Sequence, residues 1–342
     1  MLEAKFDGIC AQSDFQMPMR DIALNKWYDK VKEVGKEAMM AGKKLRSIRN
    51  YLYREGRALD VARWSYHFED GSADDVLKAL AVYRNYDGGF AHGLAPENQS
   101  KDSNPLAVWA AISFLREIDF AEGSMQILRK IFKYLEQSME DGIWQAKISA
   151  ESGAPSSAKN QNAFGYYPTA QFLGVILRFE EEEKQLYQRA IQNLSEMLQK
   201  IYSADYQMKS CELIDFLNLY RDLQAAGKTH LLPDDFESFL KTRLDATIER
   251  NKENYREDKN YTPPIYFIIG KKDFAYFGNE EICSFYARYV EDIVTEHGYW
   301  DIQNVSKESP IGNRAIRDLR SRLIVDNMLF IERIVKPFGV IS

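Results

Sequence analysis

Along most of the chain, apolar residues recur at three- and four-residue intervals, the spacing of one face of an α-helix, and runs of strict alternation are nearly absent. Two kinds of helical segment follow from the pattern. Residues 73–84, 123–138, 184–201, 233–249 and 279–295 carry one apolar stripe and a charged face, which predicts surface helices. Residues 104–118, 167–179, 211–223 and 321–335 are apolar on most sides, which predicts burial on most sides. Asn104 followed by Pro105 reads as an N-cap and first helical residue, and Pro168 opens another apolar run. The two kinds alternate, amphipathic first, and a weaker segment at 262–272 stands where a fifth buried helix is due. With 19–50 as a first outer helix and 55–68 as its inner partner, the chain predicts six hairpins. That makes an all-α protein, an α6/α6 toroid with alternating outer and inner helices. In domain terms, residues 1–50 hold the long first outer helix, and 51–342 close with it as a single domain.

A repeat runs through this pattern. "DGGF" at 87–90 returns as "DGIW" at 141–144 and as "HGYW" at 297–300, each after an amphipathic segment and before an apolar one. The first interval is 54 residues (141 − 87) and the second is 156 (297 − 141), three times 52. Degenerate copies are therefore expected near Tyr202–Tyr206 and Tyr255–Tyr261. Gly89 or its equivalent is expected to leave the outer helix with φ above zero. The aromatic that follows is expected to fold back over the helix end and cover its free carbonyls.

The pattern resembles the α/α toroids of the terpenoid cyclase and protein prenyltransferase superfamily. Their Gln…Gly-x-Trp repeat is echoed by "EQSMEDGIW", with Gln137 one residue further from the glycine. The stretch "RALDVARWSYHFEDGSADDVLKALAVYRNYDGGFAHGLAPENQ" is similar to bacterial proteins described as prenyltransferase-like or squalene-oxidase-repeat-like. The likeness continues through "NPLAVWAAISFLREI", "YYPTAQFLG" and "HGYWDI", roughly residues 55–335. Two departures stand out. Leu94-Ala95-Pro96-Glu97 replaces that group's Leu-Glu-Pro-Asp, and "AFGYY", Ala163–Tyr167, replaces its Pro-Trp-Trp. The resemblance implies a toroid with a central aromatic-lined cavity for an apolar ligand of isoprenoid type. The superfamily's acid and metal motifs are absent: no DxDD occurs, and neither "DDVLK" at 74–78 nor "DDFES" at 234–238 supplies DDxxD. Four histidines and three scattered cysteines offer no zinc set, so neither metal nor cofactor is expected.

Composition narrows the partners. A net charge of -6 spread along the chain, with one short basic cluster at Lys43–Arg49, argues against nucleic acid. Cys10, Cys211 and Cys283 are too far apart for a disulfide framework. With no signal-like N-terminus and no run of eighteen apolar residues, the reading is a soluble, cytoplasmic protein without a membrane span. An aromatic content of 13% is enough to line a cavity as well as fill a core.

Four residues are candidate acids and bases. Asp326 in "LIVDNMLF" and Asp215 in "ELIDFLNLY" stand on apolar helices, where a carboxyl facing a cavity has a raised pKa. For Asp326 the competing reading is a partner such as Arg322 one turn away. His92 and Glu97 stand five apart in the connection after the first glycine turn, where they form a candidate acid/base pair. Asp87, Phe90, Trp109, Tyr166, Tyr167 and Trp300 are candidate ligand-binding residues, each with a structural or core role as its alternative. An apolar-ligand toroid with terpenoid-cyclase-like or prenyltransferase-like chemistry, a carbohydrate-active (α/α)6 enzyme with paired carboxylates, and a non-catalytic peptide or protein scaffold all fit this pattern.

Overall fold

The structure, a computed structural model, describes residues 42–96, 98–145, 165–257, 261–302 and 313–335. Among these residues the protein is all-helical, with three isolated bridges and no strand. Helix α1 covers 42–55 and bends at Gly56 into α2 (Ala58–Phe68). There follow α3 (Ala73–Ala81), α4 (Pro105–Glu117), α5 (Ser124–Ser138), α6 (Thr169–Phe179), α7 (Gln185–Ile201), α8 (Ser210–Ala225) and α9 (Phe236–Thr247). The short α10 (Lys252–Arg256), then α11 (Glu280–Asp292) and α12 (Asn313–Val335), complete the order. Of the first helix expected at 19–50, the part before residue 42 lies outside the described residues.

Local chemistry sets the boundaries. The Asn104 side chain accepts from the Ala107 amide at 2.9 Å with Pro105 behind it, and Ser72 forms a capping box with Asp75 at the start of α3. The two helix types separate as the apolar pattern predicts. In α6 nine consecutive residues, Thr169 to Leu177, are buried, whereas α5 and α7 bury one stripe each. The segment 262–272 departs from expectation. It holds a single 3-10 turn, Pro264–Tyr266, because Pro263 and Pro264 remove two successive amide donors and Gly270 follows within two turns.

In each of the three glycine turns one glycine has positive φ, Gly88 at +93°, Gly142 at +79° and Gly298 at +85°, and in the second turn Asp141 joins it at +48°. This corrects the placement at Gly89, whose backbone is not left-handed. Gly89 instead needs to be small, since a Cβ there would stand 2.6 Å from Ser103 and 2.7 Å from Tyr134. The aromatic residues return over the preceding helix, as expected. Trp144 Nε1 donates to the Leu135 carbonyl at 2.9 Å, and Trp300 Nε1 donates to the Val290 carbonyl at 2.8 Å, each in the last turn of its helix. Of the degenerate copies, Tyr255 keeps this role, its hydroxyl donating to the Glu249 carbonyl at 2.7 Å just past α9. Tyr202–Tyr206 forms a glycine-free turn.

Each turn also seats on another helix further along or back in the chain. A Cβ on Gly88 would come within 2.2 Å of the Lys130 carbonyl oxygen in α5, one on Gly142 within 3.2 Å of Asn193 in α7, and one on Gly298 within 2.2 Å of the Ser47 backbone in α1. The last of these joins the end of the chain to its beginning. Helix α12 also links late and early elements, packing against both α11 and α2.

Candidate functional site

Helices α4, α6 and α8 each carry two polar residues seven apart, and seven residues are close to two helical turns. Trp109 and Arg116, Gln171 and Arg178, and Asp215 and Asp222 therefore form two layers between three apolar helices. In the layer nearer the helix starts, Trp109 Nε1 donates to Asp215 Oδ1 at 2.6 Å, and Gln171 Nε2 donates to the Trp109 carbonyl at 3.0 Å. Asn218 extends it, donating from Nδ2 to Gln171 Oε1 at 2.9 Å and accepting at Oδ1 from Arg221 Nη1 at 2.9 Å. In the second layer Asp222 receives Arg116 at 2.5 and 2.8 Å and Arg178 at 3.2 Å. Between the layers Gly174 admits α8 to close approach, since a Cβ there would stand 2.9 Å from Leu219 Cα.

The two buried aspartates live in opposite environments. Asp222 meets two guanidinium groups, while Asp215 meets an indole N–H at one oxygen and no hydrogen-bond partner at the other, Oδ2, among the described residues. Both are completely buried. Burial pushes the Asp215 carboxyl well above the usual carboxylate range, against the opposing pull of the Trp109 hydrogen bond and the Arg116 charge, and nearby Glu212 adds to the rise. The shift is toward the neutral acid, and with the indole N–H accepted at Oδ1, Oδ2 is the oxygen left to carry a proton.

Beyond Trp109, on the side of the helix starts, further aromatic side chains gather. Tyr167 lies edge-on to Trp109 with ring centroids 5.4 Å apart, and Tyr166 stacks on Tyr206 at 6.1 Å. Glu212, one turn before Asp215, holds this rim together. Its Oε1 accepts from the Tyr166 amide at 2.7 Å and from the Tyr206 hydroxyl, and its Oε2 accepts from the Lys209 amide at 2.9 Å. Gly165, at φ +55°, leaves the space this carboxylate occupies. Cys211, half-buried on the same face of α8, has its thiol pushed up to about 11 by burial and by the neighbouring Glu212 and Asp215, so it stays protonated and a poor nucleophile.

Four of the candidate residues, Asp215, Trp109, Tyr166 and Tyr167, thus come together. The others stand apart from them. Asp326 is ion-paired to Arg63 at 2.5 Å and to Arg322 at 3.5 Å and remains about a third exposed, 35%. His92, at φ +60° and exposed, bonds through Nε2 to Asn85 Oδ1 at 2.8 Å, and Glu97 lies outside the described residues. Asp87 braces the first turn, accepting from the Gly89 amide at 2.9 Å and the Ser103 hydroxyl at 2.8 Å. Phe90 and Trp300 are core residues. Gln171, Asn218, Glu212, Arg116, Arg178 and Asp222 join the site without having stood out in the sequence, although Arg116, Gln171, Arg178 and Asp222 lie at seven-residue intervals within apolar helices.

Two surface grooves lie elsewhere: one of about 360 Å³ lined by α7 and Leu231, the other of about 490 Å³ lined by α1, His297 and Tyr299. Among the described residues no cluster of three His, Cys, Asp or Glu side chains is arranged to hold a metal, and no helix is long and apolar enough to cross a membrane. No protein-family model, curated protein or solved structure matches the chain.

Proposed function

We propose that the chain is an α6/α6 toroid that binds an apolar ligand of isoprenoid type at the rim formed by Trp109, Tyr166 and Tyr167, and that Asp215 acts on that ligand as a proton donor. The ring arrangement is supported by the succession of glycine turns, each seated on another helix and the last on α1, and by the packing of α12 on α2. The terpenoid-cyclase and prenyltransferase resemblance points the same way.

The observation that carries the chemical reading is Asp215 itself: a carboxyl buried among apolar helices, shifted toward its neutral form, with no hydrogen-bond partner at Oδ2 among the described residues. In the proposed step the Oδ2–H proton passes to an alkene carbon, whose π electrons form the new C–H bond. The adjacent carbon becomes cationic, and the ring faces of Trp109 and Tyr167 stabilise it. Loss of a proton from the ligand then restores both an alkene and the neutral acid. A glycosidase-like reading fits less well. The nearest second carboxylate, Glu212, has both oxygens engaged by the Tyr166 and Lys209 amides and the Tyr206 hydroxyl.

Native mass spectrometry of the purified protein tests the reading, followed by incubation with linear isoprenoid alcohols. The expected result is a co-purified or added isoprenoid on the wild type, isomerised or cyclised over time, and bound without conversion by Asp215→Asn. A bound glycan, or equal turnover by Asp215→Asn, would overturn it.

A further inference from the structure

We propose that the segment 264–278, which stands in place of the expected fifth inner helix, docks the protein on an anionic phospholipid surface. The inference goes beyond the proposed chemistry and stands without it.

The segment is firmly built. Phe267, Ile268 and Ala275 are buried, and Asp273 is clamped by Arg221, whose Nη2 also donates to the Phe267 carbonyl at 2.5 Å. Asp273 further accepts from the Ile269 amide at 3.1 Å. Three large apolar residues of this anchored frame are nevertheless exposed: Tyr266 at 58%, its hydroxyl end in reach of Asp326 and Arg322, Ile269 at 50% and Phe277 at 61%. No other stretch of this length among the described residues exposes three large hydrophobics.

Charge selects the partner. Lys271 and Lys272, between Ile269 and Phe277, are both exposed, and neither makes an ion pair among the described residues. The segment's one acid, Asp273, is buried against Arg221. Within these fifteen residues, exposed apolar and aromatic side chains therefore stand beside two cations without an ion-pair partner among the described residues, on a chain whose net charge is -6. Tyr, Phe and Ile beside Lys suit the boundary between acyl chains and negative headgroups, where rings and methyl groups sink while ammonium groups stay with phosphate. No membrane-spanning element is required.

Co-sedimentation of the full chain with vesicles tests this, comparing phosphatidylcholine alone with phosphatidylcholine containing roughly one-third phosphatidylserine. The expected result is binding to the anionic vesicles only, weakened by salt. Each lysine is expected to supply about fivefold, so Lys271→Gln with Lys272→Gln should weaken binding by about 30-fold. The triple variant Tyr266→Ser, Ile269→Ser, Phe277→Ser should release the protein while its helical circular dichroism is retained. Equal binding to both vesicle types, undiminished binding by both variants, or concentration-dependent self-association abolished by the triple variant would each overturn the proposal, the last by assigning the face to a second copy of the chain.

Discussion

Asp215 combines complete burial, a carboxyl shifted toward its neutral form and an oxygen without a hydrogen-bond partner among the described residues. Its folded pKa lies above its unfolded one. The folded state therefore holds a proton the unfolded chain releases, and stability falls as pH rises from the ordinary aspartate range toward the folded value. Asp215→Asn keeps an acceptor for Trp109 Nε1 and removes the titration. Its melting temperature should match wild type near pH 4 and exceed it increasingly at neutral and alkaline pH, as followed by circular dichroism. In the infrared, wild type at neutral pH should show a protonated-carboxyl C=O band that the variant lacks. A band absent from both, with parallel pH profiles, would show that Asp215 is ionised. Asp326 shows why such an acid is hard to find by reading alone. Both aspartates sit in apolar helices, but Asp326 meets Arg63, 263 residues away in sequence, while Asp215 meets a neutral indole 106 residues away. Local pattern reveals the burial of an acid. Its partner on another helix is decided by tertiary packing.

Among helices and turns, the repeated glycine has the most definite task. Gly227 provides an internal control, since it is also left-handed, at φ +67°, yet has nothing within 4 Å of a built Cβ. Gly227→Ala should cost about 1–2 kcal/mol for the left-handed backbone alone. Gly88→Ala and Gly298→Ala should each cost roughly 2–5 kcal/mol, because the new methyl also drives into the Lys130 or Ser47 backbone and that helix must move. Denaturant titration of the three variants separates the two contributions. The indoles are tested alike: Trp144→Phe and Trp300→Phe each leave a helix-end carbonyl unpaired and should cost about 1–3 kcal/mol. These turns were legible because glycine, an aromatic and a fixed interval state a backbone requirement directly. The layers at 109/171/215 and 116/178/222 were not, since seven-residue spacing marks a shared face without saying which helices meet across it. Tandem prolines stand at 263–264, yet the alternation of amphipathic and apolar segments called for a helix there.

Taken whole, the molecule closes its first helices against its last through buried charge. Arg63 on α2 pairs with Asp60 at 2.9 Å, with Glu117 on α4 at 2.6 Å and with Asp326 on α12 at 2.5 Å. Ser321 on α12 donates to Asp60 at 2.6 Å, and Arg57 pairs with the same carboxylate at 2.7 Å. The Phe114 ring packs against both Arg63 and Arg322. Removing Arg63 would leave Asp60 and Glu117 without their shared cation, so Arg63→Ala should cost about 3–5 kcal/mol. The same junction is expected to make the fold sensitive to acid. Burial alone would raise the Glu117 pKa, but the Arg63 charge, the His67 hydrogen bond and the guanidinium hydrogen bonds outweigh it and hold the carboxyl at about 2. A depressed folded pKa contributes stability that is complete above the ordinary glutamate value and is lost as pH falls through the folded one. For Glu117 that window runs from about 4.5 down to about 2, and the contribution is on the order of 3 kcal/mol. Asp60, also lowered by Arg57 and Arg63 despite its burial, titrates with the same sign. Glu117→Gln should therefore be less stable than wild type at pH 7, and its melting temperature should fall less steeply below pH 4.5. Parallel acid profiles for the two proteins would mean that the junction binds α2, α4 and α12 without governing how the fold responds to acid.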